Sequence, residues 1–395
     1  MKKAVLVILL LGSMLLVTGC WSWVEIENRA IVSALGVDKA AEGERLEVTV
    51  QIIKPGEIQS GAQGGGISPA VAVYSDSGYD LADALRNLGR QVGRKLTFSK
   101  LTVLVIGEGI AGEGTGSIMD FIFRHYEPDL RVKVIVVRGR AKEVLETEIP
   151  TDKVWGLGLD KLVEATRLHA RAPAVSVLDF LKAVSSKTTS PVATGMEMAG
   201  EKKKPAEEEV APGKKPVVTG TAVFKDYKLT GWLDETETRG LLWIKGEVEG
   251  GVIVIPSPGN QSRLMALEIT YARSKIEPQI KDGRIIVTVK ISEEGNIGEV
   301  EPDNVEIDKP GTLEIIEARK KKVIEKEVLA AIARAQELNA DVFGFGEAVR
   351  RKYPRKWPQY EKKWEELFPL LDIRVEVEAK IRRVGLIKKP IIPGS

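Results

Sequence analysis

The sequence predicts an α/β (α+β) protein of more than one domain, with mixed sheets flanked by helices. Three observations predict it. Short β-branched segments alternate with helical patterns between residues 30 and 137, and such alternation buries a sheet under helices. A charged, proline-bearing stretch, EKKKPAEEEVAPGKKP at 201–216, interrupts all apolar periodicity. Beyond it, one long amphipathic segment from Thr312 to Leu338 precedes a cleanly alternating strand near the C-terminus.

The elements follow in chain order. Lys2 and Lys3 precede an apolar run from Ala4 to Val17, a positive n-region and an h-region. The run is short for a bilayer span, which takes roughly 20 apolar residues. It ends in Val17-Thr18-Gly19-Cys20, which resembles a bacterial lipobox. Residues 1–19 are therefore expected to be a lipoprotein signal peptide, and Cys20 a diacylglyceryl-modified N-terminus held in the membrane. Two acyl chains anchor stably where one is marginal. Cys20 is the only cysteine, so no intramolecular disulfide can form. Trp21 and Trp23 follow at once, and indole either sits at a membrane interface or packs on the first domain.

Residues 20–200 read as an N-terminal α/β region. Strands at 30–37 and 46–53 flank the turn-like AAEGE and form a hairpin. A glycine-rich surface loop covers 54–69, and a strand resumes from Val71 to Tyr74. Ser77 is expected to cap a helix with Asp80 in the capping-box position and Leu81, Leu85 and Leu88 on one face. Then come a strand at 101–107, a helix near 117–126, a strand at 131–137, and helices at 157–170 and 177–185. Residues 201–216 read as a solvated linker.

The C-terminal α/β region is placed at 217–390, opening with two short strands around a turn at Lys225-Asp226. Asp234 starts a helix through Trp243, and strands lie near 252–256, 264–276 and 284–292. The long helix carries a stripe of Leu313, Ile316, Ile324, Val328, Ile332, Ala335 and Leu338. Its other face, Arg319 to Lys322, reads as solvated. The last strand covers 371–381.

Little in this pattern points to chemistry. Lys and Arg number 58 against 56 Asp and Glu, so there is no electrostatic case for nucleic acid. Gly107, Gly109 and Gly112 match G-x-G-x-x-G between strand and helix, the arrangement that lets a backbone approach a pyrophosphate. Glu108 and Glu113 would set negative charge beside that phosphate, so a plain strand-to-helix turn is expected. His125 and His169 lack metal-ligand spacing, and no G-x-S-x-G elbow occurs. Catalytic residues, cofactor and metal are accordingly all expected to be none. Trp357 and Trp364, in YPRKWPQYEKKWEELFP, suit core packing or a docking surface better than a sugar platform.

Four stretches carry a resemblance: GCWSWVEIENRAIVSALGVDK (19–39), VTVQIIKP (48–55), KLTFSKLTVLVIGE (95–108) and GTAVFKDYKLTGWLDETETRGLLWIKGE (220–247). In this order, behind a lipobox, they resemble the Ger(x)C family, the C subunits of spore nutrient germinant receptors. Lys100 stands where members often carry histidine. The resemblance implies three α/β domains of uncommon topology and no recognised catalytic residue. It also implies a lipid anchor on the outer face of the spore inner membrane and assembly with integral-membrane A and B subunits. Within 220–247, Trp232, Asp234, Glu235 and Arg239 are the candidate partner contacts, whereas Trp243 is expected in the core. The alternative is a transporter's solute-binding lipoprotein, which ligand-dependent thermal stabilisation would reveal. A lipid-anchored hydrolase is third, and a turnover screen would expose it.

Overall fold

The computed structural model describes residues 25–40, 46–59, 69–125, 127–200, 213–301, 307 and 309–383. The expected signal peptide, Cys20 and most of the expected linker lie outside the described residues. In chain order the structure holds β1 (Arg29–Lys39), β2 (Leu46–Ile53), α1 (Pro55–Gln59), β3 (Val71–Gly78), α2 (Leu81–Val92), β4 (Lys95–Thr97), β5 (Val103–Gly107), α3 (Glu108–Glu113) and α4 (Gly116–Arg124). Next are β6 (Lys133–Arg138), α5 (Ala141–Glu146), α6 (Trp155–Ala165), α7 (Val177–Ser185), β7 (Val192–Gly200), β8 (Lys214–Lys225), β9 (Lys228–Leu233) and α8 (Glu235–Lys245). Then follow β10 (Val252–Pro256), β11 (Leu264–Lys281), β12 (Arg284–Val300), α9 (Thr312–Glu337), α10 (Phe345–Lys352), α11 (Pro358–Glu361), α12 (Trp364–Leu367) and β13 (Asp372–Arg383).

Nine strands form the first sheet, in the order β3-β2-β1-β5-β6-β7-β8-β9, with β4 beside the start of β1. Its centre, β1, β5, β6 and β7, is parallel. Parallel strands covered on both faces read as continuous apolar runs, and VLVIG in β5 is buried at every position. Successive residues point to opposite faces. Leu104 and Ile106 therefore pack with Leu88 of α2 and Met119 of α4, while Val103 and Val105 pack with Leu145 of α5 and Leu159 of α6.

Two sequence expectations shift here. Ser77 does not cap α2: it pairs with Glu47 inside β3, and Asp80 caps the helix by accepting from the Asp83 N–H at 2.8 Å. Second, β7 pairs antiparallel with β8 from Val192↔Val223 to Gly200↔Lys214. The boundary drawn at 217 thus falls inside β8, and β8 and β9 belong to the first sheet. Of the expected linker, Lys214, Lys215 and Pro216 already belong to β8.

The second sheet runs β10-β11-β12-β13. β11 and β12 form a long hairpin whose Asp282-Gly283 turn has φ of 50° and 74°, the left-handed pair that matches strand twist. Both strands run beyond their expected ends. β13 returns parallel to β12. α9 lies over this sheet and buries Ile316, Ile324, Val328 and Ala335.

Lys320 was expected on the solvated face and is instead fully buried. It lies four residues from both Ile316 and Ile324, so helical spacing places it in the apolar stripe. Its Nζ is 2.6 Å from the Glu293 carboxylate of β12, which is equally buried. Ala272 and Ala379 flank Glu293 on the neighbouring strands, and a Cβ on Gly295 would stand 2.5 Å from Nζ. Small residues thus leave the space this pair fills. Burial pushes the Glu293 carboxyl up to about 7 against the pull of Lys320. Arg319, also expected in solvent, is half-buried and donates to the Pro256 carbonyl at 2.6 Å, whereas Lys321 and Lys322 are exposed.

Candidate functional site

The segment 220–247 comprises the second half of β8, then β9 and α8, and it forms a seam between the two sheets. Asp226, with φ of 52°, turns the chain between β8 and β9. Asp234 then caps α8: its carboxylate accepts from the Glu237 N–H at 2.8 Å, and Glu237 accepts from the Asp234 N–H at 2.8 Å. This reciprocal pair satisfies two donors that a helix start leaves open. Gly240 lets α8 cross α9 closely, since a Cβ there would meet the Glu327 carbonyl at 2.1 Å.

The four candidate contact residues do not form one surface. Asp234 and Glu235 are exposed, and Glu235 pairs with Arg171. Trp232 is half-buried at the ends of β5 and β6. Its indole N–H donates to Glu108 at 2.9 Å, and the Arg138 guanidinium lies 4.6 Å from its ring centroid. A cation over an indole face is attracted by the ring quadrupole. Arg239 points inward. Its Nε donates to Glu327 at 2.9 Å, a second guanidinium N–H pairs with the same carboxylate, and Nη1 donates to the Val252 carbonyl at 3.0 Å. Glu327 is buried and also accepts from the Trp243 indole at 2.9 Å. Arg239 therefore ties α8 to α9 and to edge strand β10. The partner-contact expectation at Arg239 gives way to an internal role, because Glu327 needs that fork. Trp243 is buried, as the sequence suggested.

Within the glycine motif, Gly107 alone is required by close packing, while Gly112 faces open space. A Cβ on Gly107 would stand 2.1 Å from Asp38 Oδ1. That carboxylate accepts from the Ala141 and Lys142 N–H groups at 2.8 and 2.9 Å, and so caps α5. Burial nevertheless raises the Asp38 carboxyl above its ordinary range. His125 sits against the rings of Phe98 and Phe121, with centroids at 5.6 and 5.4 Å. Trp357 and Trp364 are buried, their rings 5.5 Å apart. The Trp364 indole donates to Asp341 at 3.2 Å, and Asp341 also caps α10 through the Gly344, Phe345 and Gly346 N–H groups. Burial pushes Asp341 up to about 6 despite these donors.

A cleft of about 1330 Å³ opens between α7 and the C-terminal elements, lined by Leu178, Leu181, Tyr227, Leu242 and Phe343 with Lys182 at its edge. Among the described residues, no cluster of three His, Cys, Asp or Glu side chains is placed to hold a metal ion. No described helix is long and apolar enough to cross a membrane. Sequence reading missed Glu293, Lys320, Glu327 and Asp341. For the two on α9, spacing was the available signal, since 320, 324, 327, 331 and 335 share one helix face.

Taken together, fold and seam define a two-sheet α/β protein in which the buried charges of the 220–247 seam join structural elements to one another. The chain belongs to the Ger(x)C family of spore germination proteins. Residues 23–198 match the family described as spore germination protein N-terminal domain, and residues 219–385 match spore germination B3/GerAC like, C-terminal. Spore germination protein KC of Bacillus subtilis (strain 168) is 30% identical, over 99% of this chain and 98% of its own length. Spore germination protein B3 of the same strain is 21% identical over 95% of this chain and 96% of its own length. The fold is also that of the crystal structure of the GerBC protein, with a TM-score of 0.55 and 16% identity, covering 88% of this chain and 96% of that one.

Proposed function

We propose that this chain is the lipid-anchored C subunit of a spore nutrient germinant receptor. It acts as a scaffold or coupling component, not an enzyme, beside integral-membrane A and B subunits on the outer face of the spore inner membrane. The observation that carries this reading is the end-to-end relationship to spore germination proteins, which spans 99% of the chain in one case. Val17-Thr18-Gly19-Cys20 supplies the anchor. Anchoring confines subunit and partner to one surface, so a weak contact suffices through effective concentration.

The contact surface is assigned to the exposed start of α8, at Asp234 and Glu235, with Trp232 beside it. The part of 201–216 that precedes β8, which opens at Lys214, is assigned as the linker that limited proteolysis nicks first. Two experiments test the reading together. Intact-mass measurement of the membrane-extracted protein should show a diacylglyceryl group on Cys20. A deletion strain should lose germination toward a subset of nutrients, with co-purification of A and B subunits restored by the wild-type chain. Normal germination of that strain across all nutrients would remove the receptor reading.

A further inference from the structure

Charge is balanced over the chain as a whole but not at the end where β1 enters the sheet. Arg86 and Arg90 of α2, Arg94 and Lys95 after it, and Lys100 beyond β4 are all exposed. Arginines elsewhere, such as Arg124, Arg131 and Arg140, sit in ion pairs; among the described residues these five cations take part in none. Arg90 donates only to the neutral Asn87 side chain, at 2.6 Å. Of the nearby acids, Asp76 accepts from Gln91 and Glu127 from the Phe98 N–H, while Glu25 and Glu27 at the chain entry are exposed and fewer than the five cations. Between the cations lies a groove of about 650 Å³ with Leu85, Leu96, Phe98 and Phe121 in its lining.

The position of this groove supplies the second observation. β1 and β4 pair in parallel with Arg29 opposite Lys95, so the chain enters the fold beside the basic cluster. The described chain begins at Glu25, five residues after Cys20, and five residues span at most roughly 17 Å. An acyl group on Cys20 would hold this end against the bilayer.

We propose that the groove formed by α2 and β4 is a docking surface for anionic phospholipid headgroups, fixing how the protein stands on the membrane. The proposal rests on reading Cys20 as the site of lipid attachment. Long basic side chains keep their charges among headgroups while their stems lie on apolar surface, which the groove provides. Each cation within a Debye length of an anionic surface raises partitioning by about fivefold.

The test uses the chain from residue 20 onward carrying Cys20→Ser, which retains every described residue and bears no acyl chain. It is sedimented with vesicles of phosphatidylglycerol and phosphatidylcholine in equal parts, or of phosphatidylcholine alone. Binding to the anionic vesicles alone is expected, weakened by salt. It should fall on the order of twenty-fold in Arg90→Gln/Arg94→Gln and stay unchanged in Lys362→Gln/Lys363→Gln, with thermal melts verifying that both fold. Equal partitioning to both vesicle types, or undiminished binding by the Arg90/Arg94 variant, would overturn the proposal. The failure of lipidation is read separately: an unmodified Cys20 in the intact-mass measurement removes the anchor and leaves the vesicle result as it stands.

Discussion

The centre of the first sheet and the α9-covered second sheet solve the same burial problem with different materials. β5 and β6 are enclosed by helices on both faces, and their interior is wholly aliphatic. The second sheet has one covered face, and there the aliphatic stripe of α9 is interrupted by Lys320 and Glu327, each matched by a charge from another element. An apolar layer tolerates local change by repacking. A buried ion pair tolerates the loss of both partners better than the loss of one, because a lone buried charge is uncompensated.

That contrast can be broken most sharply at Lys320. Lys320→Ala should destabilise the protein by about 3–5 kcal/mol in urea unfolding, whereas Lys320→Met/Glu293→Met should recover most of that loss. If the double variant is as unstable as the single one, the pair is not what distinguishes this layer. In the first sheet, Ile106→Ala should cost about 3 kcal/mol through transfer and cavity terms, with no partner substitution able to rescue it. Arg239→Ala should cost about 2 kcal/mol, as it strips the charged donor from Glu327 but leaves the Trp243 indole. A loss within error would show that Glu327 is satisfied without the fork.

The pair also gives the second sheet its own pH dependence. The folded Glu293 carboxyl, at about 7, lies above its unfolded value, so folding favours the protonated form. Its contribution is fully present below the unfolded pKa of roughly 4.3 and is lost as pH rises through about 7. Stability of the wild type relative to Lys320→Met/Glu293→Met should therefore decline across that window, as read from urea midpoints at successive pH. A flat difference would contradict it. The smallest effect is expected at the seam's exposed end. Glu235→Lys should change stability by about 0.5 kcal/mol or less, since its pair with Arg171 is exposed, yet it should weaken co-purification with the membrane subunits.

The same contrast explains what could be read in advance. β1, β2, β5 and β6 announce themselves through β-branched and aliphatic runs, which parallel or doubly covered strands require. β7 does not: VATGMEMAG has few such residues and takes its place from the strands beside it. The far half of β11 is also obscured, because KIEPQIK carries a proline and charges along a one-face alternation. At the candidate site, the cap at Asp234 was legible because its partner is three residues away. The inward turn of Arg239 was not, since Glu327 lies 88 positions along the chain and no local spacing encodes it.

Arg239 and Arg319 have one more effect through β10, the terminal strand of the second sheet. The Val252 and Pro256 carbonyls, each accepting from one of these guanidinium groups, lie along a strand that among the described residues pairs only with β11. An open strand edge is a template on which a second chain can nucleate and extend a sheet into an aggregate. Two arginines plugged into that template make it unreadable to a passing strand. The edge of the second sheet is thereby closed to pairing with another copy of the chain.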